Sequence, residues 1–95
     1  MGFHHRVADS SRYTVMKRRG YAPVYAELAK VLREERRRAG LTQVALAERL
    51  GRPQSFVAKY EAGERQLDVV EFLLVTRAIG TSGVSVLRRL EKRMN

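Results

Sequence analysis

The fold is decided by residues 36–67, which read RRRAGLTQVALAERLGRPQSFVAKYEAGERQL. Apolar residues recur with a helical period on both sides of Gly51, which predicts two short helices joined by a tight turn. The turn needs a backbone with a positive φ, and glycine adopts it without steric cost. Ala47 is small enough to let the two helices cross closely. The apolar side chains expected between the two helices are Leu46, Leu50 and Val57.

Helical spacing continues on both sides of this pair. Before it, Pro23 is placed to open an amphipathic helix that Gly40 ends. After it, Asp68 and Glu71 form a D-x-x-E capping box at the head of a fourth helix, and Ser82 is a cap candidate for a fifth. Five short helices predict an all-α domain over residues 21–95.

Residues 1–20 differ from the rest of the chain. They show no helical periodicity and carry +4 of the formal net charge of +9, which leaves +5 for residues 21–95. RYTVM, residues 12–16, is the one stretch with β character. The sequence therefore predicts two parts, a flexible or strand-like basic N-terminal arm (1–20) and one helical domain (21–95).

Length and composition exclude several classes of protein. Ninety-five residues predict one small domain, and the absence of cysteine removes disulfide frameworks, thiolate zinc sites and cysteine nucleophiles. No apolar run approaches the roughly 18–20 residues of a membrane span, and no apolar signal-peptide core is present, so we expect a cytoplasmic protein that does not enter the membrane. The net charge of +9 favours a polyanion as partner.

The sequence offers little support for an enzyme or a metalloprotein. His4 and His5 are adjacent but lack cysteines or spaced acidic partners, so no metal site is predicted. No glycine loop for phosphates and no paired carboxylates in one predicted pocket are evident. We therefore expect no catalytic residues and no cofactor.

The two short helices form a helix-turn-helix motif (42–61), and around it the sequence resembles the Xre/Cro family of phage-repressor-like DNA-binding domains. The resemblance covers roughly residues 25–90 and rests on motifs that follow one another with the family's spacing. These motifs are LTQ (41–43), LAERLG (46–51), PQSFVAKYE (53–61) and AGER (62–65). The resemblance implies a five-helix lambda-repressor-like fold that binds double-stranded DNA, as in small bacterial transcriptional regulators.

The same resemblance implies DNA-contacting roles. Gln43 matches a residue that anchors to a phosphate beside a helix N-terminus, and Arg52 matches a turn position that faces the backbone. Gln54, Ser55 and Lys59 match base-reading positions of the second, recognition helix. The chemistry agrees, because glutamine suits adenine, lysine suits guanine, and serine can bond to either. The alternative for Gln43, Gln54, Ser55 and Lys59 is an ordinary solvated helix surface.

Two further features have a partly structural interpretation. Arg36 and Glu61 match a charged pair that ties the first helix to the end of the recognition helix. Phe56 stands where the family often has a small or polar residue; it is expected either to pack on a thymine methyl or deoxyribose, or to pack on the neighbouring helix. Ala45 replaces the family's usual glutamate, so the capping box that begins at Thr42 is incomplete.

Together these features predict a homodimeric, repressor-like transcriptional regulator that reads the major groove with residues 53–61. The fifth helix is the candidate dimer surface, because it carries more apolar positions than a small core can use. Those positions are Val84, Val86, Leu87 and Leu90. The alternative is an antitoxin or adaptor whose main role is to bind a partner protein, such as a toxin.

Overall fold

The computed structural model describes residues 21–94, and helices make up most of that part of the chain. They are α1 (Ala22–Arg38), α2 (Gln43–Leu50), α3 (Gln54–Glu61), α4 (Val69–Ile79) and α5 (Gly83–Met94). No strand occurs between residues 21 and 94, and the all-α, five-helix prediction is confirmed. The predicted arm 1–20, with its candidate strand 12–16, lies outside the described residues.

Local signals in the sequence set the helix ends. The Thr42 hydroxyl accepts a hydrogen bond from the Ala45 backbone N–H at 3.0 Å, while the alanine side chain cannot return one. At α4 both halves of the capping box form: Glu71 N–H donates to Asp68 Oδ1 at 2.7 Å, and Asp68 N–H donates to Glu71 Oε1 at 3.1 Å. Gly51 ends α2 with a φ of 65°, so the chain turns sharply into α3.

One apolar core lies where the five helices meet. Its members are Val31, Leu32, Leu46, Ala47, Phe56, Val57, Tyr60, Phe72, Val75, Ile79 and Val86. Leu46 of α2 and Val57 of α3 have no exposed surface. Burial of an aliphatic side chain of this kind contributes about 1.5–3 kcal/mol, so the pair stabilises the crossing of α2 and α3.

Charged side chains join α5 to α1. Arg89 pairs with Glu34 and Glu35, and Arg93 pairs with Glu27 and Glu34. Because Glu34 contacts both arginines, the pairs form a continuous network along the two helices. The C-terminal half of α5 is therefore held on α1 by ionic as well as apolar contacts.

The inward side of α5 differs from the prediction. Val86 is fully buried and Leu90 is 9% exposed, so their assignment to a dimer surface is wrong. The two residues lie one helical turn apart, and this side of α5 completes the core against α1 and α4. Val84 and Leu87, on another side of the helix, are exposed as the prediction requires.

Within residues 21–94 no single helix is long and apolar enough to cross a membrane. By length and composition alone, α4 and α5 reach that threshold only as a pair, and the pair is bent by 111°. Part of this apolar character belongs to the core, since Phe72, Val75 and Ile79 of α4 are buried there.

Candidate nucleic-acid interface

α3 presents a short polar face to solvent. Its buried side consists of Phe56, Val57 and Tyr60. Gln54, Ser55 and Lys59 are exposed, and at about 100° per residue they fall within one arc of about 140° around the helix. Their amide, hydroxyl and ammonium groups are suited to hydrogen bonds with base edges in a major groove.

Gln43, the first residue of α2, connects this face to the protein interior. Its Nε2 donates to Glu61 Oε1 at 3.0 Å, and its Oε1 accepts a hydrogen bond from Gln54 Nε2 at 3.3 Å. An amide nitrogen carries two hydrogens, so the second N–H of Gln43 is available to an external acceptor. The structure thus brings together two of the predicted contact residues, Gln43 and Gln54, beside the positive end of α2.

Behind Gln43 lies a buried ion pair between Arg36 and Glu61. Arg36 Nε donates to Glu61 Oε2 at 2.7 Å and Nη2 donates to Oε1 at 2.9 Å, with only 7% and 3% of the two side chains exposed. Arg36 Nη1 also donates to the Leu41 carbonyl at 2.7 Å. The hydrogen bonds to Glu61 raise the pKa of Arg36 above its ordinary value. The pair therefore joins α1, the loop before α2 and the end of α3.

Phe56 does not lie on the exposed face. Only 5% of the residue is exposed, and its ring packs edge-on against the Tyr60 ring with centroids 5.5 Å apart. Phe56 is about 200° around the helix from Gln54, on the buried side. The expectation that it contacts a thymine or deoxyribose is therefore wrong, and its alternative, packing within the protein, describes the structure.

Arg52, between α2 and α3, covers the outer surface of Phe56. Its guanidinium carbon lies 4.1 Å from the ring centroid. Arg52 Nη1 is also 3.7 Å from Glu71 Oε2, and 43% of the side chain remains exposed. Arg52 is thus held by a cation–π contact and a long ion pair at the start of α3.

Arg65 and Glu71 join Arg52 in this cluster, and neither was predicted to lie there. The Arg65 guanidinium carbon is 4.8 Å from the Phe56 centroid. Its two terminal nitrogens donate to the two carboxylate oxygens of Glu71 at 2.9 and 2.8 Å. The sequence indicates Glu71 only as a capping residue. Its contact with Arg65 spans an irregular loop, where no helical spacing of residues could have predicted it.

The acid stability of the fold should depend on Glu71. Hydrogen bonds from Arg65, and then from the Asp68 N–H, lower the pKa of Glu71 to about 2. The carboxylate therefore contributes stability that is complete above its ordinary pKa of 4.5 and is lost as the pH falls towards 2.

We expect the melting temperature of the wild type to exceed that of Glu71→Gln at pH 6, and the gap to close between about pH 4.5 and 2. Thermal unfolding of the two proteins at each pH, followed by circular dichroism, measures this difference in melting temperature. A gap that stays constant down to pH 2 would contradict the assignment of this pKa.

Other kinds of site find little support between residues 21 and 94. No group of three or more histidines, cysteines, aspartates or glutamates there could hold a metal ion. His4 and His5 lie outside the described residues. A cavity of about 20 Å³, which adjoins Tyr25, Leu32 and Tyr60, has room for a water molecule.

Comparisons with known proteins agree with this geometry. A profile of the helix-turn-helix domain family matches residues 27–90. The solved structure of an XRE-family like protein from Pseudomonas syringae pv. tomato strain DC3000 is 41% identical; the match covers 92% of this chain and 99% of that one, with a TM-score of 0.74. None of the curated proteins compared with the chain matches it.

Two restriction-modification controller proteins are also similar. C.AhdI from Aeromonas hydrophila is 27% identical over 70% of this chain and 96% of its own, with a TM-score of 0.65. Wild-type C.Esp1396I is 21% identical over 75% of this chain and 93% of its own, with a TM-score of 0.69. At 21% identity, the similarity to C.Esp1396I concerns the fold alone.

Proposed function

Since the chain belongs to the helix-turn-helix domain family as an XRE-like member, we propose that it is a sequence-specific, double-stranded DNA-binding transcriptional regulator. The similarity to the controller protein C.AhdI supports a regulatory role. The observation that carries the proposal is the exposed polar face of α3, with Gln54, Ser55 and Lys59, backed by a buried ion pair that sets the position of the helix. In this proposal α3 enters the major groove.

Backbone contacts come from either side of this face. Gln43 keeps one amide N–H free of its contact with Glu61, at the N-terminus of α2, where backbone amides and the helix dipole favour a phosphate. Arg52, partly exposed, precedes α3 on the other side. The basic arm 1–20 adds affinity for the backbone without reading sequence, and binding through it weakens steeply with salt. We place this activity in the cytoplasm.

The protein acts as a homodimer in this proposal. The exposed apolar side chains of α4 and α5 form one surface, which we call the apolar face; it consists of Val69, Val70, Leu73, Leu74, Val84 and Leu87. The two helices are adjacent there, because a Cβ placed on Gly83 would lie 3.1 Å from Leu73 Cδ2. In the proposed dimer, the two α3 helices bind half-sites about 34 Å apart.

Single substitutions on and beside α3 test the proposal. We expect Gln54→Ala and Lys59→Ala each to relax preference at particular base pairs by about 1–3 kcal/mol, because a base-edge contact is lost. Arg52→Ala should weaken binding to all sequences alike, because a phosphate contact carries no sequence information. Sites selected from a random duplex pool, followed by affinity measurements on single-base variants, separate the two classes.

Arg88→Ala is the matched control, since Arg88 is exposed and belongs to α5 rather than α3. It removes one positive charge, as Lys59→Ala does, and should leave base preference unchanged. If none of the three α3-region variants loses affinity or preference relative to Arg88→Ala, the assignment of DNA contacts to this region is wrong.

A further inference from the structure

The cluster of Arg52, Phe56, Arg65 and Glu71 is not accounted for by core packing alone. Two guanidiniums lie against one ring, at 4.1 and 4.8 Å from its centroid, and both approach a single carboxylate. One arginine precedes α3 and the other follows it. The cluster therefore brings together two cations from the segments that flank α3 in the sequence.

The positive charge of this cluster is more exposed than its counter-ion. Arg52 and Arg65 share one close counter-ion, the Glu71 carboxylate; Asp68 also attracts Arg65 but makes no ion pair with it. Glu71 is the more covered partner, with 17% of its side chain exposed, whereas Arg65 and Arg52 keep 36% and 43%. The positive charge is thus presented to solvent by the arginines, and the carboxylate lies behind them.

The cluster also has a definite position relative to the base-reading face. Phe56 lies about 60° around the helix axis from Lys59, on the side away from Gln54. Gln43 contacts Gln54, so it borders the opposite edge of the same face. A helix in the major groove has a phosphate backbone on each side. One edge of the face therefore carries Gln43, and the other carries the two arginines.

We propose that Arg65 is a further contact to the DNA backbone, and that Glu71 is a positioning residue that holds Arg65 and Arg52 against Phe56 at the edge of the recognition face. This inference rests on the proposed function, since it assumes that α3 docks on DNA. Glu71 does not contact DNA in this proposal. It restricts the two arginine side chains before binding, so less conformational entropy is lost when DNA binds.

Positioning and simple charge compensation predict opposite results for Glu71→Gln. The glutamine keeps an oxygen for the Asp68 N–H but loses the charge that pairs with the arginines. If Glu71 only offset positive charge, its loss would strengthen binding to every duplex. If Glu71 positions the arginines, binding weakens although the protein gains a net positive charge.

Glu64→Gln is the matched control. Glu64 is exposed, immediately precedes Arg65 and makes no ion pair within residues 21–94. Glu64→Gln removes one negative charge, as Glu71→Gln does. We expect Glu64→Gln to bind DNA as tightly as the wild type or slightly more tightly.

The experiment measures the affinity of the full chain for its selected duplex and for a random duplex over a series of salt concentrations. Five proteins are compared: the wild type, Glu71→Gln, Arg65→Ala, the double variant Arg65→Ala/Glu71→Gln, and the control Glu64→Gln. Arg65→Ala should weaken binding to both duplexes about tenfold and reduce the slope of log K against log salt by about 0.9, which is one phosphate contact. Glu71→Gln should weaken both and also reduce the slope. The double variant should lose less than the sum of the single losses, because Glu71 acts through Arg65.

The proposal is overturned if Glu71→Gln binds as tightly as Glu64→Gln, or if Arg65→Ala leaves affinity and salt slope unchanged. If Glu71→Gln is unfolded at the assay temperature, Arg65→Ala still tests the backbone contact, since it leaves the capping box intact. Arg65→Lys then tests the positioning, because it keeps the charge but loses the two-fold pairing with Glu71; binding as tight as that of the wild type would overturn this part. If the wild type binds neither duplex at any salt concentration, the proposed function fails and this inference fails with it. If the wild type binds DNA and the variants bind it with the same affinity and salt slope, the inference alone is falsified and the proposed function stands.

Discussion

Glu61→Gln is expected to lower the free energy of unfolding by about 3–5 kcal/mol, because it leaves the charged Arg36 guanidinium buried without its counter-ion. A domain of this size has a total stability of about 5–15 kcal/mol, so the loss is a large fraction of it. Urea denaturation followed by circular dichroism measures the change, with Glu64→Gln as the control for loss of one exposed carboxylate.

The double variant Arg36→Met/Glu61→Leu separates stability from function. Replacing both members of a buried ion pair by apolar side chains is often neutral or stabilising, so most of the lost stability should return. The hydrogen bond from Gln43 to Glu61 does not return, so the proposed phosphate contact of Gln43 loses its support. We expect a folded protein with weakened DNA binding; a double variant as unstable as Glu61→Gln would contradict this account of the pair.

Leu74→Glu should convert the proposed dimer into monomers. Leu74 is 53% exposed within the apolar face, and a dimer would bury a charge there at a cost of several kcal/mol. Because the two halves of a dimer bind adjacent half-sites with a high effective concentration, monomers should lose about 10²–10⁴-fold in affinity for a two-half-site operator. Sedimentation and operator binding measure the two effects on the same samples.

Leu74→Lys and Ala26→Glu are the controls. The lysine has the opposite charge, so dissociation by both variants at position 74 identifies desolvation rather than attraction or repulsion of DNA as the cause. Ala26 is exposed on α1, outside the apolar face, and its substitution should leave the dimer intact. If position 74 variants remain dimeric, another surface joins the two copies, or the apolar face binds a different partner, as the antitoxin or adaptor alternative requires.

The helices were predictable because their signals are local. Asp68 and Glu71 are three residues apart, and Gly51 marks the turn by its own conformational freedom, so each lies within a few residues of the structure it determines. The pairing of Arg36 with Glu61 was also inferred, although the two are 25 residues apart, because a family resemblance supplied it. Spacing alone contains no such long-range information.

The sequence was less informative about which apolar residues face inward. Leu90 and Leu87 are both leucines on one amphipathic helix, and only the packing of α5 against α1 buries the first and exposes the second. For Phe56 the sequence leaves two placements open, against DNA or against the neighbouring helix. Its actual surroundings include Arg65 and Glu71, which follow α3 in the chain. Such a tertiary cluster leaves no periodic trace in a single sequence.

The contacts of Gln43 have a consequence for how this type of regulator can change its target. Gln43 bonds to both Gln54 and Glu61, so a substitution at Gln54, the proposed base contact, also disturbs Gln43, the proposed backbone contact. The effects of changing Gln43 and Gln54 should therefore be non-additive. We expect a single substitution at Gln54 to weaken binding as well as to change the preferred base, and a compensating change at Gln43 to restore part of the affinity.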